Sequence, residues 1–167
     1  MRHLKLALAV MMLWMGTTAV NAQKMAHISV QKIMTEMPEF KASQASLKKL
    51  YATYDKEYKE AVTEYQAKVK KYQAEAKTVG DQENQKRGQE LMDMEKSIQK
   101  LQQDIQQEAS KKEADLIKPI QDKLLKAINA VAKEKGYDYV FDSSGPSSLI
   151  VHNGPDLYAD VKTKLGF

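Results

Sequence analysis

Residues 39–79, EFKASQASLKKLYATYDKEYKEAVTEYQAKVKKYQAEAKTV, decide the fold, because they contain no glycine or proline and consist almost entirely of good helix formers. Apolar and aromatic residues recur in alternating steps of four and three, at Leu47, Tyr51, Tyr54, Tyr58, Ala61 and Tyr65. That spacing predicts a coiled-coil seam. At ~1.5 Å per residue the helix would be about 60 Å long, too long for the core of a compact domain.

A second long helix is predicted to return alongside the first. Gly80 suits the end of the first helix, and the polar residues around 80–88 indicate the tip of a turn. Apolar residues then resume steps of three and four, at Leu91, Met94, Ile98, Leu101 and Ile105. Two long helices joined by a short turn pack antiparallel, so residues 39–118 are predicted to form a helical hairpin, the arm. Pro119 should kink or break the returning helix.

The two ends of the chain predict a small base beneath the arm. Residues 25–30, 137–142 and 148–152 are rich in β-branched, aromatic or alternating apolar residues and are predicted strands, the last two paired as a hairpin. Residues 157–165 form a short amphipathic helix capped by Asp156. The fold class is therefore mainly α with a small β base (α+β), in which residues 24–38 and 119–167 form the body of a single domain, 23–167.

A shortage of core predicts self-association. Three short strands leave open edges and bury little apolar surface, which is marginal for a monomer. Several chains that share one base would solve this problem. The strand residues predicted to form such a shared base are Ile28, Val30, Tyr139, Phe141, Leu149 and Val151.

The N-terminus has the pattern of a secretory signal. Arg2 and Lys5 precede an apolar run at 6–15, and small residues lead to a predicted cleavage between Ala22 and Gln23. The alternative is an uncleaved anchor, but the apolar run is only about half the length that spans a bilayer. Cleavage would remove two of 26 basic and none of 22 acidic residues, so the net charge would fall from +4 to +2.

Several classes of function are disfavoured by what the sequence contains. It has no cysteine, which excludes disulfides and thiolate metal sites, and no G-x-x-x-x-G-K-[ST] phosphate loop. His27 and His152 lie on different predicted strands without a partner at ligand spacing, so no metal site is expected. Asp138 and Asp142 share a strand face, but no nucleophile–base arrangement accompanies them, so neither an enzyme nor a cofactor is expected. A net charge of +2 is small for a nucleic-acid binder.

Several segments, taken in order, resemble the Skp/OmpH family across essentially the whole mature chain. They are the signal segment, the strand ending in Val30, the Met37-Pro38-Glu39-Phe40 helix start, the Lys/Glu/Gln-rich hairpin, the GYDYVFD segment at 136–142 and DLYADV at 156–161. The resemblance implies a jellyfish-like homotrimer, with a small β-barrel body and arms that enclose a cavity. It also implies an ATP-independent holdase for unfolded outer-membrane β-barrel proteins in the periplasm of a Gram-negative bacterium. No lipopolysaccharide site is predicted in this chain, because its arm is only modestly basic and contains many tyrosines.

The first helix of the arm carries the residues predicted to face a client. Residues 41–79 hold nine lysines against five acidic residues, a local charge of +4 that favours acidic clients. The predicted client-facing residues are Lys48, Lys49, Lys56, Lys59, Lys68, Lys70, Lys71, Tyr54, Tyr58 and Tyr65. For the tyrosines the alternative is packing in the seam, and for each lysine it is ordinary solvation. The alternative function is a coiled-coil scaffold or spacer of the envelope with one fixed partner.

Overall fold

The computed structural model describes residues 23–145 and 151–167, so the signal segment at 1–22, with Ala22, lies outside the described residues. The elements are β1 (Met25–Ile28), α1 (Val30–Glu36), α2 (Pro38–Glu75), α3 (Asp81–Lys135), β2 (Tyr139–Asp142) and α4 (Tyr158–Leu165). Helices dominate and the strands form one small pair, which confirms the predicted mixture of a large α part and a small β part.

The helices α2 and α3 form the predicted antiparallel arm. Pro38 occupies the first turn of α2, with Glu39 beside it at the positive end of the helix. The Tyr51 hydroxyl donates to Glu113 at 3.4 Å and the Tyr72 hydroxyl donates to Glu90 at 2.6 Å, so the two helices run in opposite directions. Neither these helices nor any other in the described ranges is long and apolar enough to cross a bilayer.

The turn of the arm lies at 76–80, and residues 81–88, predicted as tip, are the first turns of α3. Gly80, predicted to end the first helix, instead precedes the second as its N-cap with φ −71°. Of the predicted kink or break at Pro119, the break is wrong, because α3 continues through this residue. Pro119 removes the bond to the carbonyl of Asp115, and both residues are exposed, so water can hydrate that carbonyl.

The two ends of the chain meet in a parallel strand pair. Met25 lies opposite Tyr139 and Ile28 opposite Asp142. The first strand ends two residues earlier than predicted, and Val30 begins α1 instead. The Ser29 side chain accepts a hydrogen bond from the Lys32 N–H at 3.4 Å, which caps that helix.

The predicted strand at 148–152 is only partly described. Residues 146–150, including Leu149, lie outside the described residues. Val151 and His152 have no regular secondary structure, so the end of that predicted strand is wrong. Within the described ranges β2 pairs with β1, a contact between distant parts of the chain, rather than with a hairpin neighbour.

The main hydrophobic cluster of the described residues lies in the base, where α1, the second half of α3 and α4 pack against β1. Its most buried side chains are Ile28, Ile33, Met37, Leu124, Leu157 and Val161. Leu157 and Val161 therefore lie on the predicted face, but Leu157 is the N-cap of the last helix, so the predicted N-cap at Asp156 is wrong by one residue. The segment before α4 is also hydrogen-bonded to β1, since the His27 N–H donates to Pro155 and the Leu157 N–H donates to His27, both at 2.9 Å.

Gly136 ends α3 in the left-handed conformation, with φ +71°, and the Tyr137 N–H donates to Ala132 at 2.9 Å. We expect Gly136→Ala to lower the free energy of unfolding by about 1 kcal/mol, because an L side chain is strained at this φ. A Cβ here would meet no atom within 4 Å, so the cost is backbone strain rather than a clash. Urea unfolding measures it.

Gly88→Ala is the matched control, since Gly88 is helical and a Cβ there also meets nothing within 4 Å. Alanine in the body of a helix should stabilise the fold by about 0.5–1 kcal/mol. A destabilisation of equal size in both variants would contradict the argument from φ.

Candidate binding surface on the helical arm

The seam of the arm is closed only near the base. Its buried residues are Ser43, Leu47, Tyr54 and Ala109, all in the half of the arm next to the body. Farther out the seam residues are half-buried, among them Tyr58, Ala61, Tyr65, Met94, Ile98 and Leu101. Two helices alone cannot cover large side chains from every direction, so an open groove lies on each side of the seam.

One groove, which we call the tyrosine groove, is lined by Tyr51, Tyr54 and Tyr58 of α2 and by Gln102, Ile105 and Gln106 of α3. Tyr51 is exposed, while Tyr54 is buried and hydrogen-bonded to Glu108. Burial, followed by the Glu108 carboxylate, raises the pKa of Tyr54. The groove therefore offers aromatic surface next to amide groups, with two of its hydroxyls held by carboxylates.

The other groove, which we call the aliphatic groove, lies on the opposite side of the seam. Its apolar lining consists of Ala61 on α2 and Met94, Ile98 and Leu101 on α3. Glu64 and Asp93 stand at its rim. Lys86 and Glu90 also line it, so this groove combines aliphatic surface with a border of mixed charge.

The lysines predicted to face a client are distributed around α2 rather than along one face. Lys48, Lys49, Lys56, Lys59, Lys70 and Lys71 are exposed, as the prediction requires, but exposure alone does not test the role. Lys68 is half-buried and bonded to Glu90. Of the predicted tyrosines, Tyr54 is buried in the seam and Tyr58 and Tyr65 are half-buried.

A polar cluster joins the two helices near the tip. Glu90 accepts hydrogen bonds from the Lys68 ammonium and from the Tyr72 hydroxyl, the latter at 2.6 Å. The Arg87 guanidinium lies 4.6 Å from the centre of the Tyr72 ring and pairs with Glu75 at 2.9 Å. These contacts hold the outer ends of α2 and α3 together where little apolar surface is buried.

The hydrogen bond from Lys68, followed by that from Tyr72, lowers the pKa of Glu90 and outweighs the opposing effect of burial. A carboxylate with a lowered pKa stabilises the fold above its unfolded pKa of about 4.3, and this contribution is lost as the pH falls through the folded value. We expect Lys68→Gln to raise the pKa of Glu90, measured by NMR titration of its carboxyl carbon. Lys71→Gln should leave it unchanged, and an equal rise in both variants would refute the assignment.

A second exposed apolar surface lies on the strand pair of the base. Met25, Tyr139 and Phe141 are exposed, and the rings of Tyr139 and Phe141 are 6.5 Å apart between centroids. Among the residues predicted for a shared base, Ile28 is buried in the core of its own chain and Val30 is half-buried in α1. Val151 is exposed, so Tyr139, Phe141 and Val151 remain accessible to a partner.

The structure brings together the two histidines that the sequence placed apart. The rings of His27 and His152 lie 4.7 Å apart between centroids, and Nε2 of His27 is 3.1 Å from the carbonyl oxygen of Gly154. In residues 23–145 and 151–167, however, no group of three or more potential ligands could hold a metal ion. The contact packs the segment before α4 against β1.

Sequence reasoning missed the partners that α3 contributes to this surface. Gln102 and Gln106 were not singled out, although they follow the seam residues Leu101 and Ile105 by one position. Arg87 lies within the predicted polar tip at 80–88, and Glu90 was not singled out. Arg87 and Glu90 lie opposite Tyr72 and Lys68 across the arm. This register can be derived from the sequence only when the turn is placed at 76–80.

Comparisons with known proteins agree on one family. The model of the family described as outer membrane protein (OmpH-like) matches residues 24–165. Among solved structures, the chain is similar to a Caulobacter crescentus protein assigned as an OmpH-like outer membrane chaperone, with a TM-score of 0.75 and 18% identity. The match covers 90% of this chain and 88% of that chain, and at this identity it shows the fold. No curated protein matches the chain.

Proposed function

The chain belongs to the OmpH-like outer membrane protein family, and on that premise we propose that it is an ATP-independent holdase for unfolded outer-membrane β-barrel proteins. It would act in the periplasm of a Gram-negative bacterium and hold its clients in a cavity between helical arms.

The observation that carries the proposal is the open seam of the arm. A scaffold with one fixed partner needs a sealed, leucine-rich seam, whereas Tyr51, Tyr58 and Ile98 remain partly accessible. Accessible aromatic and aliphatic surface beside lysines suits weak, exchangeable contacts with many unfolded chains. The sequence has no nucleotide-binding loop, which agrees with binding and release that do not consume ATP.

A homotrimer is the assembly that we propose. The apolar surface of Met25, Tyr139 and Phe141 lies beside an edge of the strand pair, and two strands alone are marginal in water. Further strands from other chains would cover this surface and could close the sheet into a barrel. Three bases joined in this way would place three arms around one cavity.

Export to the periplasm is the remaining part of the proposal. It rests on the basic N-terminus, the apolar run at 6–15 and the small residues before Gln23. Sequencing of the N-terminus of the protein recovered from an envelope fraction should begin at Gln23. An intact Met1 there would favour the anchor.

The decisive experiment measures the mass of the assembly and its holdase activity on the same preparation. Light scattering gives the mass of the purified protein, and the same preparation is mixed with a urea-unfolded outer-membrane β-barrel protein that is then diluted out of urea without nucleotide. We expect a trimer that keeps the β-barrel protein soluble, less effectively as salt rises, because screening weakens exposed charge contacts.

An unrelated helical protein of similar net charge, at equal mass concentration, is the control for crowding and for general electrostatic effects. A well-formed oligomer that leaves aggregation unchanged would refute the holdase and favour the coiled-coil scaffold. A monomer that is fully active would refute the shared cavity while leaving chaperone activity in place.

A further inference from the structure

Four lysines of α2 form a row on one side of the seam, whereas its glutamates lie on the other side together with Lys49 and Lys71. Lys41, Lys48, Lys59 and Lys70 are spaced by 7, 11 and 11 residues, so at 3.6 residues per turn they fall within a strip about 40° wide. We call these four residues the lysine strip. Glu57, Glu60, Glu64 and Glu75 fall on the other side of the seam by the same count, and we call them the glutamate strip.

Each strip borders a different groove. Asp55, which bonds Lys59 at 2.7 Å, stands at the rim of the tyrosine groove, so the lysine strip follows that groove. Glu64 stands at the rim of the aliphatic groove, so the glutamate strip follows the opposite one. The arm therefore has a basic side with tyrosines and glutamines, whereas the side with aliphatic residues carries glutamates and lysines together.

The two strips also differ in how their charges are paired. Three members of the glutamate strip have partners within the chain: Glu60 pairs with Lys56 at 3.7 Å, Glu64 with Lys68 at 3.8 Å and Glu75 with Arg87 at 2.9 Å. In the lysine strip Lys59 is paired, whereas Lys41, Lys48 and Lys70 form no ion pair within the described part of the chain. Among the described residues, three lysines of the lysine strip but only one glutamate of the glutamate strip, Glu57, are thus without an ion pair.

We propose that the tyrosine groove with its lysine strip is the subsite that holds client segments, and that it selects extended segments that carry carboxylates. This inference rests on the proposed holdase function and assigns it to one side of the arm. Carboxylates of the client would pair with Lys48 and Lys70, which remain solvated in the absence of a client. Aromatic side chains of the client would stack on the exposed Tyr51.

The glutamines suit the backbone of such a client. An unfolded strand presents N–H and carbonyl groups that lack partners, and a carboxamide can both donate and accept hydrogen bonds. Gln102 and Gln106 place two carboxamides one helical turn apart along the groove. Nothing in these contacts reads a particular sequence, which is what binding of many different clients requires.

Neighbouring lysines on α2 provide a matched test. The double variant Lys48→Gln with Lys70→Gln removes two charges from the lysine strip, whereas Lys49→Gln with Lys71→Gln removes two charges from adjacent positions outside it. Glutamine preserves helix propensity in both. The probe is a fluorescently labelled peptide that copies one strand of an outer-membrane β-barrel, in an acidic form and in a form with Asn and Gln in place of Asp and Glu.

At low salt we expect the variant at 48 and 70 to bind the acidic peptide about fivefold to tenfold more weakly than the parent, and the variant at 49 and 71 by less than about twofold. The difference should vanish for the uncharged peptide and at high salt. Equal weakening by both variants would overturn the groove assignment but leave the holdase intact. If the parent protein binds neither peptide, the proposed function itself fails.

A third experiment tests whether the lysine strip binds client segments or membrane lipids. Vesicles of phosphatidylglycerol replace the peptide in a sedimentation assay with the same two variants. If Lys48 and Lys70 prove necessary for vesicle binding but not for peptide binding, the lysine strip contacts lipid headgroups and the client assignment is wrong.

Discussion

Leu124→Ala is expected to lower the free energy of unfolding by about 2–5 kcal/mol, a large fraction of the stability of a small domain. Leu124 is 2% exposed and packs in the cluster that joins α3 to Ile33 of α1 and to Val161 of α4. Truncation removes buried apolar surface and leaves a cavity where four elements meet. Urea unfolding followed by circular dichroism, at fixed protein concentration, measures the loss.

Leu125→Ala is the control, because the next residue of the same helix is also leucine and is 57% exposed. Its truncation should change stability by no more than about 0.5 kcal/mol. If the two variants lost equal stability, the burial pattern assigned to this part of α3 would be wrong. A loss at Leu125 that appears only at concentrations where the protein is oligomeric would instead show that a second chain covers it.

The arm could be predicted from the sequence because its signal is local and repeated many times. The four-and-three spacing from Leu47 onward and its counterpart from Leu91 fix two helices, and a short connection leaves only an antiparallel arrangement. The last turn of α3 was predictable for a related reason. Gly136 is followed at once by aromatic and β-branched residues, and few residues other than glycine adopt its positive φ.

The base could be predicted only in outline, because its pairings join distant parts of the chain. Nothing near Tyr139 in the sequence indicates that its strand pairs in parallel with β1, at the other end of the chain. Val30 is β-branched and favours a strand, but Ser29 directly before it caps a helix, and the cap prevails. Gly80 illustrates the same ambiguity, since glycine suits either side of a tight turn between helices.

The two sides of the arm could be predicted from the sequence only in part. The spacing of Lys41, Lys48, Lys59 and Lys70 is visible in the sequence, but a total charge over residues 41–79 conceals it. Only the placement of α3 shows which strip follows which groove and which charges already have partners. The placement of α3 thus shows that a basic strip follows the tyrosine groove, whereas the aliphatic groove has a border of mixed charge.

Replacement of both Tyr139 and Phe141 by glutamate is expected to convert the proposed homotrimer to monomers and to abolish the proposed holdase activity. The two side chains are 49% and 41% exposed on the same face of β2, so the monomer gains little from them and should keep its fold. In an oligomer each ring would be buried, and this burial would stabilise the assembly by about 1.5–3 kcal/mol for each side chain. A carboxylate at the same position would be buried without a partner, which is unfavourable. Light scattering reports the mass, and the dilution assay with an unfolded β-barrel protein reports activity.

Met92→Glu is the control, since Met92 is also an exposed apolar residue but lies on the arm, far from the strand pair. It should leave the mass unchanged, and circular dichroism should show that both variants remain helical. An oligomer that survives both changes at Tyr139 and Phe141 would show that the chains associate through another surface. A monomer with full holdase activity would show that one arm holds a client alone, since the groove beside Tyr51 does not need a second chain to be complete.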